Sequence, residues 1–197
     1  MKTELPYFRI GSSYGGNQDW FYDAWMKLGG CAAETACECC IYLDLYFSTS
    51  LYPFDIKNLN KKDYIAFAMK MKPYLHPRFS GIDRLDIYTE GFGKYLENNN
   101  SSIRLAGVEG STDYETAKEI LKAQLDRGIV VPYLHLNHKD RRFREYDWHW
   151  FIINGYEEFE DSLMVKAVTY SSWEWLDFNE LWHSGYKKKG GFIIIDP

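Results

Sequence analysis

The sequence predicts an α+β fold in which one long, buried helix near the amino terminus packs against an antiparallel β-sheet. Three observations carry this reading. The segment from Cys31 to Phe47 is apolar almost all round, through Ala32, Ala33, Ala36, Cys37, Cys40, Ile41, Leu43, Leu45 and Tyr46, which is the pattern of a helix with little solvent face. After Gly128 the hydrophobic period changes from helical spacing to extended runs. Helix-like segments come first and strand-like segments last, with no internal repeat, low-complexity run or clear linker between them. A single domain spanning residues 1–197 is therefore expected, with a helical part at about 19–127 and a β-rich part at about 129–197.

Taken in order, Ser12-Ser13-Tyr14-Gly15-Gly16-Asn17 reads as a loop of residues suited to unusual backbone angles. Trp20, Phe21, Tyr22 and Trp25 have helical spacing and read as core aromatics in preference to a substrate groove. Gly29-Gly30 then forms a tight entry to the Cys31 helix. Lys61 to Tyr74 is a second helix, with Asp63 as a capping residue, and a third covers Asp86 to Asn98. Asn98 to Ser102 is a surface loop. A further helix opens at Ser111 or Thr112, where Thr112 and Glu115 make a capping box, and it ends at Gly128. Strands follow at Ile129–Leu136, Trp148–Tyr156, Ser162–Tyr170 and Phe192–Ile195, with a helix-like Asp177–Trp182 between the last two. Lys139–Glu145 reads as a solvated loop that also rims the cleft, and Lys187-Lys188-Lys189 as a charged hairpin tip.

Composition narrows the function classes. The 197 residues are 46% hydrophobic and 18% aromatic, enough for one sizeable core. A net charge of -5 argues against nucleic-acid or anionic-membrane partners, which need a basic field, and favours a small molecule or peptide as partner. No long apolar run and no leader-like amino terminus is evident, so a cytoplasmic chain is expected. Oligomeric state is not legible. The four cysteines, Cys31, Cys37, Cys39 and Cys40, fall within ten residues, too close together to staple the fold and spaced unlike a zinc site. Reduced thiols, with no metal and no cofactor, are the expectation.

Cys31 sits in the first turn of its helix, where the amino-terminal dipole lowers a thiol pKa, so it is the expected nucleophile. Its three companions lie deeper, where burial acts the other way. Of the five histidines, His149 is borne on a strand between two tryptophans, and His135 on the neighbouring strand is its competitor. His76, His138 and His183 have no fixed strand context.

These residues carry a resemblance. The glycine-rich loop with Gln18, then Gly30-Cys31-Ala32-Ala33 opening a long helix, then Leu125–Val131 leading into a strand, then His149 with an apolar tail to Gly155-Tyr156, together resemble the papain-like cysteine peptidase superfamily. The likeness is nearest to its bacterial peptidase C39-like branch and spans Gly15 to about Trp173. It implies a papain-like cysteine proteinase fold, Cys31 as nucleophile, His149 as base, and Gln18 with the Cys31 N–H as oxyanion donors. Ser171 stands where the superfamily has an asparagine or aspartate orienting the histidine, with Asp177 and Asn179 as substitutes from the following turn and Trp173 as a shield. Two further departures are Ala32, at a position usually Gly or Ser, and Glu34 in the first helical turn. The implied activity is a cysteine hydrolase cleaving an amide or thioester bond of a peptide or small-molecule acyl substrate. The alternatives are an acyltransferase of peptide or antibiotic biosynthesis and a catalytically inactive binding module on the same fold.

Overall fold

The computed structural model describes residues 1–197 and shows nine strands and six α-helices. The chain begins with strand β1 (Lys2–Glu4) and a small ribbon of β2 (Arg9–Ile10) and β3 (Ser13–Tyr14). Helices α1 (Ala24–Gly29), α2 (Cys31–Phe47), α3 (Lys61–Met71) and α4 (Leu85–Asn98) follow. Then come β4 (Arg104–Glu109), α5 (Tyr114–Asp126), β5 (Val131–His135), β6 (His149–Glu158), β7 (Leu163–Thr169), β8 (Ser172–Asp177), α6 (Phe178–Trp182) and β9 (Gly191–Asp196).

The main sheet runs β4-β9-β5-β6-β7-β8, with β1 added on β6, and every pairing in it is antiparallel. Helices cover both faces. On β6, Trp150 and Ile152 point into one core with α2, α3 and α4, while Phe151 and Ile153 alternate into a second core with α5 and α6. The strand thus has no polar face, which explains why its sequence reads as a continuous apolar run.

The expected helix-on-antiparallel-sheet architecture is present, with corrections. Helical and strand segments are less segregated than the sequence suggested: β4 comes from the helical half and pairs along its length with β9. Its solvent-facing residues and central Gly107 hide it from a periodicity argument. Asn60, not Asp63, caps α3, accepting from the Asp63 N–H at 3.0 Å, and Asp113, not Thr112, caps α5. The Lys187–Lys189 run is no hairpin tip but the approach from α6 to β9, anchored by Lys188 on Asp83. Tyr22 and Trp25 are not core residues; they are 89% and 54% exposed, Tyr22 in the loop before α1 and Trp25 on α1, a short surface helix that turns only Met26 and Gly29 inward.

Helix α2 is the axis of the larger core. Its first thirteen residues, Cys31 through Leu43, are all buried. At its far end Asp44 gathers the backbone N–H groups of Leu51 and Tyr52 and the Thr49 hydroxyl, and Ser48 turns left-handed at φ 56° to end the helix. Near its start Glu38 ties the glycine loop down, accepting from the Gly16 N–H at 2.6 Å and the Tyr7 hydroxyl at 2.9 Å. Glycine is required there because a Cβ on Gly16 would lie 2.2 Å from Cζ of the fully buried Tyr64 ring. Gly16→Ala is therefore expected to destabilise the protein by about 1–3 kcal/mol, the range for overpacking a closed core. Urea denaturation read by tryptophan fluorescence checks it, and an unchanged midpoint would show that the loop can lift away from α2.

Candidate active site

One pocket of about 390 Å³ gathers residues that the sequence singled out from distant segments: Gln18, Cys31 and His149 all line it. Leu28, Gly29, Phe79, Ser80, Gly81, Asp147, Trp148 and Tyr170 complete the wall.

Cys31 reaches the pocket because α1 and α2 abut head to tail. Gly30 closes α1 by donating to the Met26 carbonyl at 2.8 Å and is at once the residue before α2. The two glycines are steric necessities: a Cβ on Gly29 would lie 2.4 Å from the Arg78 carbonyl oxygen, and one on Gly30 would lie 2.3 Å from that of Met26. Helix α1 also explains the thirteen-residue interval from Gln18 to Cys31. It is a folded excursion that leaves both ends at the same place, and its Lys27 carbonyl accepts a hydrogen bond from Gln18 Nε2 at 2.8 Å. Gln18 Oε1 is buried without a partner, an arrangement that costs about 1–3 kcal/mol and clusters at functional positions.

His149 opens β6, fixed from behind by Trp150, whose indole N–H donates to the Ile82 carbonyl at 2.6 Å and whose ring stacks on Tyr88 at 4.2 Å. His149 Nε2 lies 2.7 Å from the Thr169 hydroxyl. The imidazole is also stacked on Tyr170, with centroids 4.8 Å apart and planes within 3°. Nδ1 makes no hydrogen bond within the protein, so it is the nitrogen left for a thiol or a substrate. Thr169 was invisible to sequence reasoning, since a threonine ending a strand is ordinary.

Ser171 does not orient His149. Tyr170 and Ser171 form the two-residue connection between β7 and β8, with φ of 50° and 63°, the positive angles that type I′ hairpin turns require. That tip carries Ser171 to the glycine loop, where its N–H donates to the Gly16 carbonyl at 2.9 Å and its own carbonyl accepts from Tyr14 N–H at 3.2 Å. Thr169, one residue before the turn, meets the ring instead. The other substitutes are also engaged elsewhere: Asp177 caps α6, and Asn179 holds His183. Trp173 packs on Lys166 at 4.3 Å in place of shielding the imidazole.

The electrostatics correct a second expectation. Burial pushes the Cys31 thiol up to about 11, against backbone N–H groups of Trp150, Ala32 and Cys31 itself that pull it down, and Glu34 adds to the rise. The dipole effect expected to single out Cys31 is outweighed; Cys37, Cys39 and Cys40 are raised by burial too, and all four thiols are free. Burial likewise lowers His149 to about 4. At neutral pH the pocket thus holds a neutral thiol and a neutral imidazole. His135, opposite His149 across β5 and β6, is lowered to about 4 by burial and donates its Nδ1–H to the Tyr146 carbonyl at 3.1 Å, away from the pocket. Beneath the thiol lie two buried carboxyls one turn apart, Glu34 and Glu38, both held above the ordinary range by burial and, for Glu34, by Glu38 and Asp19.

No family model, curated protein or solved structure matches the chain.

Two outcomes are expected. Thr169→Val should slow alkylation of Cys31 about tenfold by freeing the imidazole, whereas Ser171→Gly should raise the melting temperature by relieving roughly 1 kcal/mol of left-handed strain and leave that rate alone. The reverse pattern would return the orienting role to Ser171. Glu34 makes no ion pair, so its raised pKa means the native state holds a proton that the unfolded chain releases above pH 4.5. Stability from this group is present at low pH and lost as pH rises. Glu34→Gln should thus match wild type near pH 4 and exceed it in stability at pH 8. A difference independent of pH, measured by urea denaturation, would mean that Glu34 titrates normally.

Proposed function

We propose that the protein is a cysteine hydrolase with a papain-like fold, cleaving an amide or thioester bond through an acyl-enzyme. The observation that carries this is the convergence of Gln18, Cys31 and His149, from three separate segments, on one pocket. Their order along the chain and the α2-on-sheet arrangement agree with the resemblance in sequence.

Because thiol and imidazole are both neutral at rest, His149 acts as a general base in the attacking step. As Cys31 sulfur bonds to the carbonyl carbon, its proton passes to His149. The carbonyl oxygen takes up the negative charge and is met by the helix-start N–H of Cys31 and the second N–H of the Gln18 amide, the first being held by Lys27. The imidazolium, favoured by the Thr169 hydroxyl accepting its Nε2–H, then gives its proton to the leaving amine or thiol. Water, deprotonated by His149, releases the acyl group and restores the thiol.

The raised thiol and lowered imidazole pKa values also favour a second reading, a binding module that keeps the groove without turnover. Alkylation by iodoacetamide followed by intact mass separates the two. A single adduct on the wild type, none on Cys31→Ala, and a rate lowered at least about tenfold by His149→Ala support the hydrolase. Cys37, Cys39 and Cys40 are 0% exposed, so an adduct persisting in Cys31→Ala would remove Cys31 from its role. A rate that climbs steadily to pH 10 and ignores His149→Ala marks a silent thiol.

A further inference from the structure

Apart from the reacting groups, the pocket wall holds one charged side chain, Asp147. Its Oδ1 accepts from the His138 N–H at 3.1 Å and lies 3.9 Å from His135 Nδ1, a ring that burial keeps neutral at physiological pH. No lysine or arginine pairs with it. The contrast with equally sheltered carboxylates is informative: Asp23, 27% exposed, pairs with Lys72 at 2.7 Å, and Glu158, 29% exposed, pairs with Lys122 at 2.9 Å. Asp147 has the same 29% exposure and no cation.

A half-sheltered carboxylate that lines a pocket and has no paired cation can take one brought by a ligand. The remaining walls suit a long apolar stem: Leu28, Phe79 and Trp148 are 57%, 85% and 38% exposed around the opening. Lys188, which lies 5.7 Å from the Trp148 ring, is already engaged by Asp83 at 2.5 Å. Beyond Tyr170 the surface continues with Glu145 and Glu174, so the approach is also negative.

We propose that Asp147 determines specificity and that the site accepts acyl substrates carrying a positively charged group on an aliphatic stem, as in a lysine- or arginine-like side chain or an aminoalkyl chain. The proposal rests on the reading of Cys31 as nucleophile and names the class of molecule that this nucleophile meets. Asp147 acts on binding and takes no part in bond making.

Three alkylating reagents of graded charge test it on the full chain: iodoacetate, iodoacetamide and 2-bromoethylammonium. The ratio of cationic to neutral reagent rates at Cys31 is expected to fall about fivefold in Asp147→Asn, as expected for one partly screened charge at close range, and to recover in Asp147→Glu. Asparagine keeps an acceptor for the His138 N–H, so the fold is retained. In parallel, titration with arginine amide should shift the Trp148 indole N–H resonance, and titration with citrulline amide should not. An unchanged rate ratio together with equal shifts from both amides overturns the role of Asp147. If Cys31 takes none of the reagents, the nucleophile reading fails on its own, and the two amides still decide whether the pocket selects a cation.

Discussion

The whole molecule depends on the burial of the first three turns of α2 against β6. A helix with thirteen successive buried residues cannot be reached by solvent from any side, so sheet, α3 and α4 must close around it. Where α2 packs on β6, the backbone N–H of Trp150 faces the Cys31 sulfur. Everything polar on that stretch is then held in a low-dielectric setting. Cys31, Glu34 and Glu38 share one environment, and each is shifted toward its neutral form by the same cause.

Magnitudes decide which electrostatic effect governs the thiol. A helix amino terminus favours an anion by about 0.3–2 kcal/mol in its first turn. The rise of Cys31 from 9.0 to about 11 corresponds to about 3 kcal/mol in the other direction, with the backbone hydrogen bonds to the sulfur already counted. Desolvation therefore prevails, and a resting thiolate–imidazolium pair is not the ground state of this pocket. A buried carboxyl in the same turn reinforces that outcome, since any ionisation of Glu34 would work directly against a thiolate. Burial thus acts in one direction on thiol, imidazole and carboxyl, favouring the neutral form of each.

How much of this was legible follows from which signals are local. Helix α2 and strand β6 were legible because an uninterrupted apolar run leaves few alternatives, and Cys31 and His149 stand at their first residues. Gln18 could be named, but the reason that it reaches the pocket, the turn back through α1, lay in surface residues with no periodic signal. Strand β4 was missed because its partner β9 lies more than eighty residues away and supplies what the strand's own sequence lacks. The thiol pKa was misjudged for a related reason: the dipole is visible from position in a helix, whereas burial depends on what packs over it.

The replacement of Ser171 by Thr169 shows how backbone geometry overrides alignment by residue count. A two-residue hairpin with both φ angles positive fixes where each side chain near it points, and here neither residue is glycine or asparagine. Tyrosine and serine in left-handed backbone cost free energy that the native fold must offset. The offset is found in the contacts that this turn alone makes possible: the Tyr170 ring flat on His149, and Ser171 clamped between Tyr14 and Gly16 beside the loop that delivers Gln18. One strained turn thus positions the imidazole face and the amide loop together. A hydroxyl at Thr169 fits that scheme better than a carboxylate would. It accepts the Nε2–H of the neutral ring and of the imidazolium alike, leaving Nδ1 free to take a proton, whereas a carboxylate would draw a proton onto His149 and undo the neutrality that the rest of the pocket enforces.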